Sequence, residues 1–236
     1  MRTTTRKRLI LSLSVTLLFC CNLYSQENLY YEKSFSAFTK YFHENYGISC
    51  KELENTSNLN IYNECWLPRN DTKRSTAALF GPILQSNDKD CLFAYPAINM
   101  DYGPIGQISA EIESGLGIYY SLSHRNNADK YDFYAYATVI IGKKAREMFN
   151  ADTLYIYDIP NTDSSSFLFG ADAQKMEKIR KESYPYCTGL VICKAGRVAT
   201  AMKLFLTEKG KIKEDEYINM LSNQIWYTDT FDSLEK

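Results

Sequence analysis

Residues 188–207, with the sequence TGLVICKAGRVATAMKLFLT, decide the fold class of this chain. Two runs rich in β-branched and apolar residues, 188–193 and 197–207, flank the short stretch 194–197, which contains Gly196. Strand-forming runs separated by a glycine-containing turn are typical of a β-hairpin. The C-terminal half is therefore predicted to contain paired antiparallel strands.

Further strands are predicted on the N-terminal side of this hairpin. Residues 153–159 alternate tyrosines with other side chains as far as Pro160, which cannot continue a strand interior, and residues 131–141 are rich in tyrosine and β-branched residues. The first half holds four short candidate strands, which predict two successive hairpins: residues 50–54, 59–66, 77–85 and 91–95.

Helices are predicted where apolar residues recur every three or four positions. Residues 34–45 place four aromatic side chains at this spacing and are followed by Gly47, a residue type that often ends a helix. Four more helices are expected at residues 105–120, 143–149, 171–181 and 214–226. The predicted class is α+β: a single-domain sandwich in which helices pack on a mostly antiparallel sheet of hairpins.

Composition excludes several classes of protein. The chain of 236 residues is 45% hydrophobic and 23% charged, which is typical of a folded globular domain and not of a disordered or multispan membrane protein. Its 27 basic and 28 acidic residues nearly cancel, so we expect no nucleic-acid partner. The unusual count is 19 tyrosines, a residue type that suits both half-buried strands and recognition surfaces.

Residues 1–25 are predicted to be a signal peptide. Basic residues precede an apolar run at residues 9–21, which as a helix would rise only about 20 Å and so fall short of a bilayer. We expect cleavage after Ser25, a single mature domain at residues 26–236 with no transmembrane segment, and export to the periplasm, the outer envelope or the extracellular space.

Five cysteines follow the leader and would meet an oxidising compartment: Cys50, Cys65, Cys91, Cys187 and Cys193. A hairpin turning near residues 55–58 would bring the ends of its strands together, so we predict a disulfide between Cys50 and Cys65. Cys187 and Cys193 lie along one extended segment, about 20 Å apart, and should not pair.

Motifs for the common chemistries are missing from this sequence. It contains no G-x-S-x-G elbow, phosphate-binding loop, dinucleotide fingerprint or C-x-x-C pair, and its histidines are His43 and His124. We therefore predict no metal and no cofactor. Paired carboxylates, as used in glycoside hydrolysis, are the remaining catalytic option, and the candidates are Asp88, Asp90, Asp101, Glu111 and Glu113.

Tyrosines provide the candidate binding residues. Alternation within residues 153–159 places Tyr155 and Tyr157 on one face of a strand, where they could form an outer surface together with Tyr134 and Tyr136. The leading hypothesis is a non-catalytic exported domain that binds a protein or glycan partner through this aromatic surface. The alternatives are a glycan-directed, carboxylate-dependent hydrolase and an envelope scaffold protein lipidated at Cys20 or Cys21.

Two short segments resemble exported Bacteroidetes proteins. The segment 23–26 resembles the ends of their leaders, and the segment 149–153 (FNADT) resembles stretches of an uncharacterised exported family of unknown function. This resemblance implies export and no particular activity. At the level of the fold, the element order, with its last hairpin beneath a terminal helix, is similar to the PsbP/Mog1-like α/β/α sandwich.

Overall fold

The computed structural model describes five stretches of the chain: residues 35–68, 76–98, 103–116, 131–160 and 183–230. The predicted signal peptide, with Cys20 and Cys21, and the predicted helix at residues 171–181 lie outside these stretches. Within them the chain forms helices and antiparallel sheets, which confirms the predicted α+β class.

The main sheet has seven strands, and each neighbouring pair is antiparallel. In chain order these are β2 (Thr56–Pro68), β3 (Thr76–Ser86), β4 (Cys91–Ile98), β5 (Ala137–Ile141), β6 (Thr153–Asp158), β7 (Tyr186–Cys193) and β8 (Thr200–Leu206). Their order across the sheet is β2-β3-β4-β8-β7-β6-β5, so two meanders join where β4 pairs with β8. A two-stranded sheet pairs β1 (Ile48–Cys50) with β9 (Ile225–Tyr227).

Helices pack on both faces of the main sheet. The helices of the described residues are α1 (Phe35–Tyr46), α2 (Gly103–Gly115), α3 (Phe133–Tyr136), α4 (Lys143–Phe149), α5 (Glu208–Ile212) and α6 (Glu214–Ser222). Buried residues of α1, α4 and α6 join one core together with the small sheet, whereas Ile108 and Ile112 of α2 join the core on the opposite face.

The central strands β7 and β8 are buried on both faces because their sequences are nearly continuous apolar runs. Leu204 and Leu206 contribute to the core beneath α1 and α6, and Phe205 between them contributes to the core beneath α2. Lys203 is the one charged residue in β8, and it lies on the α2 side of the sheet.

Several local predictions are confirmed. Helix α4 covers the predicted residues 143–149, and the β7–β8 connection turns where predicted, with the Arg197 amide donating to the Lys194 carbonyl at 3.0 Å. Gly196 takes the left-handed conformation that this turn requires, with φ +70°. Helix α1 is shifted by one residue from its predicted range, and Gly47 follows it with φ +62°.

The predicted pairing of the first strand is wrong. The sequence predicts a strand at residues 50–54 within a hairpin, whereas β1 occupies Ile48–Cys50 and pairs with β9 near the other end of the chain. This distant pairing buries Ile48, Ile225 and Tyr227 completely, a gain that the local pattern around Cys50 does not reveal.

Because that hairpin does not form, the predicted disulfide between Cys50 and Cys65 has no structural basis. Cys50 lies in β1 as a free thiol, and Cys65 lies in β2, where it faces Leu79 of β3. Burial raises the pKa of Cys50 to about 12, so the group stays a neutral thiol. Cys187 and Cys193 lie near opposite ends of the single strand β7 and form no disulfide with each other, in keeping with their predicted separation.

Three other elements differ from their predicted extents. The segment 131–141 begins with α3 because the Asp132 side chain accepts a hydrogen bond from the Tyr134 amide at 3.0 Å and caps a helical turn. Helix α2 ends at Gly115, where a side chain would overlap the Pro160 carbonyl. The segment 214–226 leaves its helix after Ser222 and continues as β9.

Candidate functional site

A buried polar cluster lies between α2 and the sheet. Glu111 of α2 accepts hydrogen bonds from the Tyr157 hydroxyl at 2.6 Å and from the Gln107 amide at 2.7 Å. The Lys203 ammonium lies 3.1 Å from the same carboxylate, and the side chains of Lys203 and Glu111 are only 12% and 8% exposed. One carboxylate therefore joins α2 to two strands of the sheet, β6 and β8.

Gly189 makes room for this cluster. In the sheet register Tyr157 of β6 faces Gly189 of β7, and Gly189 in turn faces Lys203 of β8. A Cβ atom at Gly189 would overlap the ring of Tyr157, so the ring can lie over β7 only because that position has no side chain. This arrangement lets Tyr157 and Lys203 approach one carboxylate from either side of β7.

The chemistry of this cluster is suited to holding α2 against the sheet. Burial is the main cause that raises the pKa of Tyr157 well above its usual value, and the neighbouring Glu111 charge raises it further. The phenol is therefore a neutral hydrogen-bond donor throughout the physiological pH range. A carboxylate with an ammonium and two other donors satisfies its hydrogen-bonding capacity internally, which favours a structural role.

Tyr157 cannot form part of an outer binding surface, because it is only 1% exposed. The predicted alternation is correct, since Tyr155 and Tyr157 both belong to the core side that faces α2. That side of β6 is covered at Tyr157 but only half-buried at Tyr155. The sequence therefore identifies the right sheet face and misses the element that covers part of it.

Large apolar side chains are exposed next to Tyr155, at the edge of the sheet. Tyr134 of α3 is 75% exposed and Ile141 of β5 is 70% exposed, with the exposed Val139 between them in the chain. Val139 lies directly across from Tyr155 in the register of β5 and β6. We call these four residues, Tyr134, Val139, Ile141 and Tyr155, the α3–β5 surface.

The helical turn α3 is held in place by aromatic packing. Tyr134 contacts Phe133 edge-on, with ring centroids 5.4 Å apart, and the half-buried Tyr136 contacts Tyr131 in the same manner at 6.0 Å. Burial is the main cause that raises the pKa of Tyr155, and the neighbouring Cys193 and Tyr134 raise it further. Of the predicted binding residues, Tyr134 lies on α3, which leads directly into β5, and Tyr155 lies on β6, the partner of β5, while the partly buried Tyr136 packs against the core.

Asp88 and Asp90, two of the candidate acids, belong to a separate cluster that fixes the β3–β4 turn to α6. Lys213 donates to both carboxylates, at 2.9 and 3.1 Å, and the Tyr217 hydroxyl donates to Asp88 at 2.9 Å. Burial alone would raise the pKa of Asp88, but hydrogen bonds from Ser86, Lys213 and Tyr217 hold it well below its usual range. Asp88 is therefore ionised, and both carboxylates are bound to protein donors, which favours a structural role for them too.

The remaining candidate acids provide no opposed pair within the described residues. Glu111 is bound to Lys203 and Tyr157, and Glu113 lies two positions further along α2, which directs the two side chains to different sides of the helix. Asp101 lies outside the described residues. Among those residues, no group of three or more His, Cys, Asp or Glu side chains is arranged to hold a metal ion.

Sequence reasoning missed Lys203, Gly189, Val139 and Ile141. A lysine inside an apolar strand was a usable signal, because a buried ammonium needs a nearby carboxylate.

Among the described residues, no helix has the length and apolar character needed to cross a membrane. Comparison with protein-family models, curated proteins and solved structures finds no match to this chain.

Proposed function

We propose that this chain is an exported, non-catalytic α+β domain that binds a protein or glycan partner through the α3–β5 surface. The supporting observation is the exposure of Tyr134 and Ile141, at 75% and 70%, beside Val139 and Tyr155. Exposed apolar residues scattered singly are ordinary, but adjacent ones at the edge of a sheet are typical of an interaction site.

The side chains of this surface suit binding more than catalysis. A tyrosine offers an apolar ring that can stack on a sugar or on a protein side chain, and a hydroxyl that can form a hydrogen bond. Val139 and Ile141 are β-branched and have few rotamers to lose. Because α3 is capped by Asp132 and β5 is paired with β6, little conformational entropy would be lost on binding.

Removing two side chains of this surface should weaken binding without unfolding the domain. We expect the variant Tyr134→Ala/Ile141→Ala to lose about tenfold or more in affinity for partners captured from an envelope extract, because exposed aromatic and apolar anchors supply much of an interface's energy. The measurement is quantitative capture of proteins and labelled glycans on the immobilised chain. Far-ultraviolet circular dichroism would verify that the variant is folded.

Tyr186→Ala is the matched control for this experiment. Like Tyr134, Tyr186 is an exposed tyrosine, but it lies on β7 and donates a hydrogen bond to Glu208 at 2.8 Å. Capture should survive this change. Equal capture by the wild-type chain and a folded Tyr134→Ala/Ile141→Ala variant would refute the assignment of the α3–β5 surface.

The proposal of export depends on residues 1–25 and has its own test. N-terminal sequencing of the native protein should begin at Gln26, because a basic stretch, a short apolar run and a small residue at Ser25 together form a cleavable leader. An intact Met1 would contradict export by this route. A diacylglyceryl modification on Cys20 or Cys21 would instead identify the envelope lipoprotein.

A further inference from the structure

We propose that β5 is the edge through which two copies of this chain pair as an antiparallel dimer. Strand β5 is an outer strand of the main sheet and pairs only with β6 among the described residues. This inference goes beyond the proposed function because it depends on the backbone edge of β5, whereas partner binding depends on the side chains of the α3–β5 surface.

The direction of the β5 backbone groups follows from hydrogen bonds at its two ends. Beyond its C-terminal end, the Gly142 amide points to β6 and donates to the Asp152 carbonyl at 3.0 Å. Successive residues of a strand alternate in direction, so the amides of Val139 and Ile141 point away from β6. At the N-terminal end, the Ala137 amide donates to the Phe133 carbonyl and not to β6, as the same alternation requires.

The hydrogen bonds of β6 agree with this assignment. The Ile159 amide, just past the end of β6, donates to the Cys187 carbonyl of β7 at 2.9 Å. The backbone N–H and C=O groups of the odd-numbered residues of β6 therefore point to β7, and those of the even-numbered Leu154 and Ile156 point to β5. Their partners in the register are Ile140 and Thr138, so the backbone N–H and C=O groups of Val139 point to the open edge.

The two outer strands differ in their protection against pairing. Strand β2 contains Glu64, ends at Pro68 and has a register irregularity between Asn58 and Tyr62, all of which hinder the addition of another strand. Strand β5 has the sequence ATVII, with no charged residue, no proline and an unbroken register. Such an edge is a ready template for another strand.

The charged residues before and after β5 favour a second copy of β5 as the strand that pairs with this edge. Antiparallel pairing with full overlap centres the two-fold axis at Val139 and sets Ala137 of one copy across from Ile141 of the other. The exposed Asp132 precedes the strand, and the exposed charged residues that follow it are three basic and one acidic: Lys143, Lys144, Arg146 and Glu147. Pairing two copies in this way brings the acidic end of each β5 to the basic end of the other, so the edge is complementary to itself in charge. The backbone groups available to the second copy are the amides of Val139 and Ile141 and the outward carbonyls, since the Ala137 amide already donates to Phe133.

The first test compares Val139→Pro with Val139→Thr in the chain from Gln26 to Lys236. Proline removes the outward amide of Val139 while leaving the hydrogen bonds to β6, whereas threonine keeps both the amide and the β-branched shape. Sedimentation equilibrium should show a dimer for the wild type and for Val139→Thr. The dissociation constant of the Val139→Pro dimer should be higher by about tenfold or more, because two symmetry-related hydrogen bonds are lost.

Amide hydrogen exchange locates the interface without a substitution. The amides of Val139 and Ile141 should exchange more slowly as the protein concentration rises, while those of Thr138 and Ile140, bonded to β6, should not depend on concentration. A monomer at all concentrations, including one whose Val139 amide is already protected by another part of its own chain, would overturn the proposal. A dimer that persists unchanged in Val139→Pro would also overturn it.

A charge-pairing experiment covers the case in which Val139→Pro fails to fold. The variants Val139→Lys and Val139→Glu each place two like charges at the two-fold axis and should be monomeric alone. An equimolar mixture should recover a mixed dimer, because opposite charges then meet. Absence of the mixed dimer would overturn the proposed register, and dimers of either variant alone would overturn the interface.

Discussion

Replacing Glu111 with glutamine should lower the free energy of unfolding by about 3 kcal/mol. The change removes the charge that compensates the Lys203 ammonium, 3.1 Å away, in a site where both side chains are nearly buried. Breaking a buried ion pair by removing one partner is more costly than losing a surface pair, which is worth at most about 1 kcal/mol. Urea unfolding of the wild type and the variant at neutral pH measures the difference.

A double variant separates the ion pair from other effects of the substitution. Glu111→Gln combined with Lys203→Met should be less destabilised than the sum of the two single variants, because the remaining charge is then gone as well. Lys143→Met is the control for a lysine on the surface, since its contact with Glu147 is 3.6 Å long and widely exposed. A loss below about 1 kcal/mol for Glu111→Gln would contradict the buried ion pair.

The parts of the fold that the sequence predicts well are those whose partners are close in the chain. The β7–β8 hairpin surrounds its own turn at Gly196, and α4 ends at Phe149 before Asn150, which has φ +50° and closes the helix. The pairing of β1 with β9 joins Ile48 to Tyr227, and nothing near either residue indicates the other. Local periodicity identifies strands but not distant partners.

The sequence predicts only part of the candidate site, because the exposure of its residues depends on an element that is distant in the chain. Alternation correctly places Tyr155 and Tyr157 on one sheet face, but their exposure depends on α2, which carries Glu111 over β6. The interval of 46 residues between Glu111 and Tyr157 includes residues 117–130, which the structure does not describe. A strand's own sequence therefore predicts which side chains share a face and leaves open which of them a distant helix will cover.

The dimer and the binding surface would reinforce each other. Val139 and Ile141 project from the same face of β5 as Tyr155 projects from β6, so antiparallel pairing at Val139 would join two α3–β5 surfaces into one continuous face. A partner with two equivalent sites would then bind more tightly than one with a single site, although no new kind of contact is made. Each idea can fail alone, because the first depends on amides and the second on side chains.

Replacing Gly189 with alanine should destabilise the fold by about 3 kcal/mol, although alanine is normally the better residue within a strand by about 0.5–1 kcal/mol. The new Cβ would overlap the Tyr157 ring, and the ring cannot swing aside without losing the hydrogen bond from its hydroxyl to Glu111. Denaturant unfolding of the wild type and Gly189→Ala gives the difference directly.

The background variant Tyr157→Leu tests the cause of that loss. Leucine is shorter and leaves the space above position 189 open, so Gly189→Ala should cost at least about 1 kcal/mol less in this background than in the wild type. The two residues face each other across β6 and β7, and the coupling should therefore be direct. If Gly189→Ala leaves stability unchanged or raises it, the glycine is not what admits Tyr157, and the ring must lie elsewhere than across β7.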